Sequence, residues 1–233
     1  MAALQVKMPA WERALAADAA KGQARQLSFN FNRVGARRLI ERGGGDAAGT
    51  VSMMGQASLQ ADAMRRSGVD SFGQALRTAG EHQHMWRCTF MGEQTIDAGG
   101  PYRESVEGCC AELEEADAQT TGHREVPLLP VLVRAPSATE VSFLLHPLIG
   151  PCGPAGGELT AAQRTQRRML RLLGQLMGLA IRTKMPLPLN LAPLVWKQLV
   201  QQEVDVSDLR QVRPLPIAHQ RPAPAAGLST SAC

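Results

Sequence analysis

The sequence predicts an α+β fold, a mostly helical lobe with a few short strands, flanked by disordered tails. Apolar residues alternate with polar ones in two short stretches, 27–31 and 86–90, which is the period of a half-buried strand. After Thr160 they recur at steps of three and four, the period of an amphipathic helix. A third observation, the proline-rich sequence without periodicity after Arg210, predicts a disordered C-terminal tail.

Length and composition favour one domain with tails. The chain has 233 residues, 44% of them hydrophobic, which is enough to bury a core. We expect a weakly ordered segment at 1–26, a domain at 27–210 and a disordered proline-rich tail at 211–233. Within the domain, the span 43–68 is rich in Gly, Ala, Ser and Met. Because it has little to bury, it is expected to be a mobile insertion.

Composition also argues against several classes of protein. The longest apolar run is shorter than the roughly 20 residues of a membrane span, and the N-terminus lacks the apolar core of a signal peptide. The five cysteines form neither a disulfide framework nor a Cys-x-x-Cys metal pattern. We therefore expect a cytoplasmic protein with reduced thiols, no membrane contact and no cofactor.

Charge is unevenly distributed along the chain. Residues 81–160 hold 12 acidic and 4 basic side chains, whereas residues 161–233 hold 10 basic and 3 acidic ones. Four arginines recur at helical spacing opposite an apolar stripe: Arg164, Arg167, Arg168 and Arg171. Because few aromatic residues accompany them, we interpret them as a solvated or acid-paired helix face and expect no nucleic-acid binding.

The first half of the domain is expected to begin with the strand 27–31. A helical turn follows at 37–42 and ends at the glycines that open the insertion. Order is expected to return at Ser71, which caps a short helix that buries Phe72 and Ala75.

The most strongly specified stretch is a strand, a turn and a helix between residues 85 and 113. The strand ends near Gly92, and Asp97 then offers a cap. Gly99 and Gly100 permit the positive backbone angles of a sharp turn, and the sequence does not decide which of them adopts one. Pro101 suits a first helical position. The helix that follows carries one apolar face, formed by Tyr102, Val106, Cys109, Cys110 and Leu113.

The end of this helix is strongly acidic. Glu112, Glu114, Glu115 and Asp117 lie there, where negative charge opposes the helix dipole. We therefore expect the helix to fray. Beyond it, an irregular strand at 126–133, interrupted by two prolines, precedes a second strand at 141–145.

Two helices in the last third of the domain, one from Thr160 and one from Pro193, are expected to form its core. Gly174 and Gly178 lie four residues apart on the first helix, and each costs about 1 kcal/mol relative to Ala. We interpret them as a point where another element approaches closely. Trp196, on the second helix, is expected to join the same core.

Two blocks of the sequence resemble the N-terminal lobe of HECT-type ubiquitin-protein ligases. The first runs from Gly92-Glu93 through Asp-Ala-Gly-Gly at 97–100 to Arg103-Glu104. The second, at 172–200, is a glycine-bearing helix, a Leu-rich link and a helix with Trp-Lys. An Asn-Arg segment and a Phe-Gly-Gln-Ala helix before the first block are most similar to the large HECT proteins. The resemblance implies that the Arg-Glu pair ties its helix into the lobe.

The resemblance also implies ubiquitin transfer, in which a cysteine of a C-terminal lobe carries ubiquitin as a thioester. The implied partners are ubiquitin and a ubiquitin-conjugating enzyme, which docks on a smaller subdomain. We find neither that subdomain nor the acceptor cysteine in this sequence. The chain is therefore expected to be a truncated N-lobe that is inactive alone. The alternative is a non-catalytic interaction or scaffold module derived from a HECT protein.

No residue is assigned a catalytic, cofactor-binding or metal-binding role. Cys88 alternates into a strand, and Cys109 and Cys110 lie on a helix. Cys152 lies in a Pro-Gly loop without a basic neighbour to lower its pKa, and Cys233 ends the tail.

Two further patterns suggest a metal site and a phosphate-binding loop, but each lacks residues that such a site needs. Glu81, His82 and His84 lack a second pair of metal ligands. The turn at 97–100 lacks the Lys and Ser or Thr of a phosphate-binding loop, so we interpret it as structural.

Overall fold

The computed structural model describes Arg13 and the ranges 27–42, 45–66, 71–79, 83–93, 99–116, 127–135, 141–146 and 159–212. Its strands are β1 (Leu27–Phe31), β2 (Trp86–Phe90), β3 (Leu132–Arg134) and β4 (Phe143–Leu145). Its helices are α1 (Arg33–Glu41), α2 (Gly45–Val51), α3 (Met53–Arg66), α4 (Ser71–Thr78), α5 (Gly100–Glu114), α6 (Ala161–Thr183), α7 (Pro193–Leu199) and α8 (Val206–Val212). This mixture confirms the predicted α+β class. Almost all of the segment 1–26, residues 147–158 and the residues beyond 212 lie outside the described part of the chain.

The two strands predicted from alternation pair with each other in parallel. Leu27 aligns with Trp86 and Phe31 with Phe90, and each strand buries every second residue. The buried side chains are largely aromatic, and the Phe29 and Trp86 rings stack with centroids 4.9 Å apart. Parallel strands need a long crossover connection, which α1 to α4 supply here.

Helix α1 is longer than the predicted turn at 37–42. It starts at Arg33 because Asn32 caps it, and the Asn32 side-chain oxygen accepts the Gly35 N–H at 2.9 Å. The helix ends at Glu41, near the expected position.

Helix α3 lies at the centre of the fold and packs against α2, α4, α5, α6 and β1. It buries Met53, Met54, Ala57 and Ala61. The expectation that 43–68 has little to bury is therefore wrong. The buried face of α3 consists of methionines and small residues. The small residues add little to the hydrophobicity of the sequence, but they allow neighbouring helices to pack closely.

Glutamines of α3 complete the free edge of β1. The Gln60 side chain accepts the Asn30 N–H at 3.0 Å and donates to the Asn30 carbonyl at 2.9 Å. Gln56, one turn earlier, accepts the Asn32 N–H at 2.8 Å. These amides substitute for a third strand, since buried or edge backbone groups need partners.

Glycines mark close approaches in this lobe, but not the two that the sequence suggests. A Cβ atom on Gly108 of α5 would lie 2.8 Å from the Met53 sulfur, and one on Gly49 would lie 2.9 Å from Thr165 of α6. Around Gly174 and Gly178 no atom of the described residues lies within 4 Å of such a Cβ, and both glycines are exposed. The interpretation of that pair as an internal packing point is wrong.

The long helix predicted after Thr160 is confirmed as α6. The Thr160 hydroxyl accepts the Gln163 N–H and the Gln163 side chain accepts the Thr160 N–H, which forms a reciprocal capping box. Its buried stripe includes Met169, Leu172 and Leu176. The other end closes on Lys184, in the left-handed region at φ 54°.

The strands β3 and β4 form an antiparallel pair against which α7 packs. In α7, which Pro193 starts as predicted, Val195 is buried but Trp196 is 45% exposed. The expectation that Trp196 joins the core is therefore wrong. Helix α6 contributes a long stripe of side chains to the main core, whereas α7 contributes Val195 and not Trp196.

None of the described helices is both long enough and apolar enough to cross a membrane.

Candidate functional site

The turn before α5 is built on Gly99. Gly99 has φ 97° and precedes α5, whereas Gly100 is already helical and has no positive φ. The structure thus decides between the two glycines. Pro101 occupies the first turn of α5 as predicted, and Arg103 donates its backbone N–H to the Gly99 carbonyl at 3.3 Å. Asp97 lies outside the described residues.

His84 lies directly against this turn. A Cβ atom on Gly99 would be 2.4 Å from His84 Cε1, and the His84 ring lies 4.8 Å from the buried Tyr102 ring. His84 therefore packs the turn. Glu81 and His82 lie outside the described residues, and within the described ranges no three His, Cys, Asp or Glu residues are arranged to hold a metal ion.

Arg33 connects the turn region to the first strand. Its guanidinium donates to both carboxylate oxygens of Glu93, at 2.7 and 2.6 Å, and its third nitrogen bonds Glu104. The same group lies 4.2 Å from the centroid of the Phe90 ring. The two carboxylates raise the pKa of Arg33, and Arg33 lowers the pKa of Glu93.

Of the pair Arg103-Glu104, which the resemblance implies ties α5 into the lobe, only Glu104 takes part in these contacts. Glu104 ties α5 to Arg33, as the resemblance implies, whereas the Arg103 side chain is exposed. Arg33 belongs to the Asn-Arg segment (Asn32 and Arg33) that the resemblance includes. The sequence therefore pointed to Arg33, but its contacts with Glu93 and Glu104 are known only from the structure.

The acidic end of α5 is anchored by tertiary contacts. Glu112 accepts the backbone N–H groups of Met53 and Met54, both at 2.9 Å, and so caps α3. Glu114 accepts from the backbone and side chain of Asn190 at 2.5 and 2.8 Å. The expectation that this end frays is wrong, because its carboxylates are partners of other elements.

The Glu112 carboxylate is unusual because it is largely buried. Burial raises its pKa above the usual glutamate value, and the hydrogen bonds from Met54 and Met53 oppose that rise. Glu115, beside it, accepts from Arg37 of α1 at 2.6 Å.

Glu112 also lines an open cavity of about 530 Å³ between α1, α3 and α5. Its walls include Ile40, Met53 and three arginines of α1: Arg33, Arg37 and Arg38. Among the described residues that line the cavity there is no serine, threonine, cysteine or histidine, the side chains that usually serve as nucleophile or neutral base in acyl transfer.

The described cysteines are all enclosed by the core. Cys88 of β2 and Cys109 and Cys110 of α5 are each at most 2% exposed. Burial raises the pKa of the Cys109 thiol and raises that of Cys110 to about 12. These thiols are the opposite of an activated nucleophile, which needs an exposed thiolate. Cys152 and Cys233 lie outside the described residues.

Comparison with known proteins decides the family. The family model described as HECT-domain (ubiquitin-transferase) matches residues 139–219, a stretch that includes β4 and α6 to α8. The chain is 30% identical to the E3 ubiquitin-protein ligase HERC2 of Homo sapiens over 215 residues, or 89% of its length. The chain belongs to the HECT family.

Further relatives extend the same finding. HERC2 of Mus musculus is 29% identical over 89% of the chain. The probable E3 ubiquitin-protein ligase HECTD4 of Homo sapiens is 28% identical over 56% of the chain. The chain spans about 4% of the length of the HERC2 proteins and 3% of HECTD4. No solved structure matches the chain significantly.

The HECT resemblance read from two sequence blocks is thereby confirmed. The second block falls within the matched range and corresponds to α6, the link after it and α7. The first block precedes that range and corresponds to the Gly99 turn and the head of α5.

Proposed function

We propose that the chain takes part in ubiquitin transfer as a framework of a HECT N-lobe. The observation that carries this proposal is the 30% identity to HERC2 over 89% of the chain, together with the HECT match. On this proposal its partners are ubiquitin and a ubiquitin-conjugating enzyme, and it acts in the cytoplasm.

The framework role is supported by what α3, α5 and β1 do for one another. Arg33 joins the turn to α5, Glu112 caps α3, and Gln60 completes the edge of β1. Each of these polar side chains connects two secondary-structure elements. The chain therefore positions other groups and does not itself accept ubiquitin on its described thiols, which are buried.

The alternative is a non-catalytic interaction module of HECT origin. Its support is a group of apolar side chains on or next to α7 and α8 that are each more than 40% exposed: Trp196, Leu199, Val200, Val206 and Leu209. Apolar patches of this kind are typical of contacts with other proteins.

One experiment separates the two functions. An antibody raised against residues 159–212 is used to isolate the native polypeptide, which is then incubated with ubiquitin, activating enzyme, conjugating enzymes and ATP. The ligase proposal expects a polypeptide well above the 25.0 kDa of this chain that forms a thiol-reducible ubiquitin adduct. A native polypeptide of 25.0 kDa without an adduct would contradict it and favour the interaction module.

A further inference from the structure

A cluster of arginines surrounds a single carboxylate where α3 packs on α6. Asp62 of α3 pairs with Arg65 at 2.8 Å and with Arg66 at 3.2 Å. Arg171 of α6 lies 3.9 Å from the same carboxylate. Arg168, one turn before Arg171, donates to the Ser58 hydroxyl of α3 at 3.1 Å. Three guanidinium groups thus lie within 4 Å of one carboxylate, and the charge of a fourth, that of Arg168, also acts on it.

Positive charge in this cluster is far from neutralised. Asp62 is 17% exposed, whereas Arg65, Arg66 and Arg171 are 45%, 65% and 52% exposed. The arginines lower the pKa of Asp62, so it is ionised at neutral pH. Burial and the nearby charge of Arg66 lower the pKa of Arg168, although an arginine stays protonated. Counted over the residues that the structure describes, the four cations therefore exceed the single negative charge of Asp62 by three.

The excess charge continues along α6. Arg164 and Arg167 are exposed one turn before the cluster and have no ion-pair partner among the residues that the structure describes. We call the six side chains the arginine surface: Arg65, Arg66, Arg164, Arg167, Arg168 and Arg171. Protein surfaces usually intersperse charges of both signs. A surface with six arginines and one aspartate therefore indicates a binding site for a negatively charged partner.

We propose that the arginine surface docks a carboxylate-rich segment of a partner protein. Guanidinium groups are well suited to bind carboxylates, and the Asp62 carboxylate already lies between Arg65 and Arg66, with one oxygen paired to each. The depression among these residues has a volume of only about 10 Å³, which suits single carboxylate groups of an extended segment and not an enclosed small molecule.

A protein segment fits this surface better than a single-stranded nucleic acid. Single-stranded nucleic acids are held by stacking on exposed aromatic rings in addition to phosphate contacts. Phe72, which is the aromatic side chain among the described residues that line the depression, is 1% exposed and stacks on Phe29 within the core. Charge without stacking favours carboxylates. This proposal does not depend on whether the chain acts in ubiquitin transfer.

Binding of a defined probe tests the proposal. A fluorescein-labelled oligoglutamate peptide is titrated with the purified chain at low salt, and fluorescence anisotropy is measured. Arg171→Glu is expected to weaken binding at least tenfold, because it removes one cation and adds an anion. Asp62→Asn is expected to strengthen binding about threefold, because it removes the internal competitor. Opposite effects of two neighbouring substitutions are not expected from a change in stability alone.

Control variants and a competing probe keep the result interpretable. Arg38→Glu changes charge identically on α1, outside the arginine surface, and is expected to leave binding within twofold. Arg66→Gln and Arg171→Gln are milder replacements to use if the reversal fails to fold, with circular dichroism as the check. The proposal is overturned by no binding of the peptide, by equal losses in Arg171→Glu and Arg38→Glu, or by tighter binding of an oligothymidylate of equal charge.

Discussion

Arg33 and Glu93, 60 residues apart in sequence, are joined by two parallel hydrogen bonds of 2.7 and 2.6 Å. Arg33 follows the end of β1 and Glu93 follows the end of β2, so the pair closes the same end of both parallel strands. The guanidinium also reaches Glu104 of α5. One side chain thus connects β1, β2 and α5.

Arg33→Lys is expected to lower the urea midpoint of unfolding, and Arg33→Ala to lower it further. Lysine keeps the charge but has no planar fork, so it loses the two-pronged contact and the stacking over Phe90. Arg87→Lys is the matched control, because Arg87 is exposed on β2. Equal midpoints for Arg33→Lys and Arg87→Lys would show that the connection contributes nothing.

Substitution of Gly99 is expected to be costly and that of Gly100 is not. Gly99→Ala forces a side chain into the left-handed region, at about 1–3 kcal/mol, and places Cβ against His84. Gly100→Ala meets nothing within 4 Å and has no positive φ to oppose it. Chemical denaturation of both variants measures the difference. The double variant His84→Ala, Gly99→Ala should recover only the steric part of the loss.

Glu112→Ala is expected to cost about 1–3 kcal/mol, because it leaves two N–H groups at the start of α3 without their acceptor. Glu107→Ala, on the exposed face of the same helix, is the control. If both variants unfold at the same denaturant concentration, the capping role is wrong.

The same carboxylate predicts a pH dependence. Burial raises the pKa of Glu112 above the usual 4.5, so the folded state binds this proton more tightly than the unfolded state. Its contribution to stability is fully present below pH 4.5 and is lost as pH rises through the higher folded value. Unfolding of the parent and of Glu112→Gln, measured from pH 4 to 8, should therefore show the parent losing stability relative to the variant as pH rises. Arg37 and Glu115 face Glu112 and are present in both proteins.

Truncation of the two tryptophans should give very different results. Trp86 is 2% exposed and its indole N–H donates to the Ser105 hydroxyl at 3.1 Å, so Trp86→Ala is expected to cost about 3–5 kcal/mol. Trp196→Ala is expected to cost about 1 kcal/mol or less, because the ring is 45% exposed. Thermal unfolding of each variant measures the difference in stability. A large loss of stability in Trp196→Ala would show that Trp196 belongs to the core after all.

Local patterns in the sequence predicted the elements with strong periodicity. The strands β1 and β2 follow from alternation, and α5 and α6 from apolar stripes that are buried as expected. Pro101 and Pro193 marked the starts of two helices. These features depend on a few neighbouring residues, so a single sequence contains them.

Features that depend on distant partners were missed. The low hydrophobicity of 43–68 suggested a mobile insertion, but Gly55 and Ala57 are small because α3 packs closely on neighbouring elements. Likewise, Glu112 looks unfavourable within its own helix, and only the position of Met53 and Met54 explains it. Trp196 is part of an apolar pattern of helical period, but no described residue covers the side of α7 on which its ring is exposed.

Under the proposed function, the chain contributes a HECT framework and not the thiol that accepts ubiquitin. The most direct measurement incubates the purified chain with ubiquitin, activating enzyme, a panel of conjugating enzymes and ATP, and compares non-reducing with reducing gels. We predict no thiol-reducible ubiquitin adduct, because Cys88, Cys109 and Cys110 are buried and the pKa values of Cys109 and Cys110 are raised. A reducible adduct that disappears when one cysteine of the chain is replaced by serine would contradict the claim.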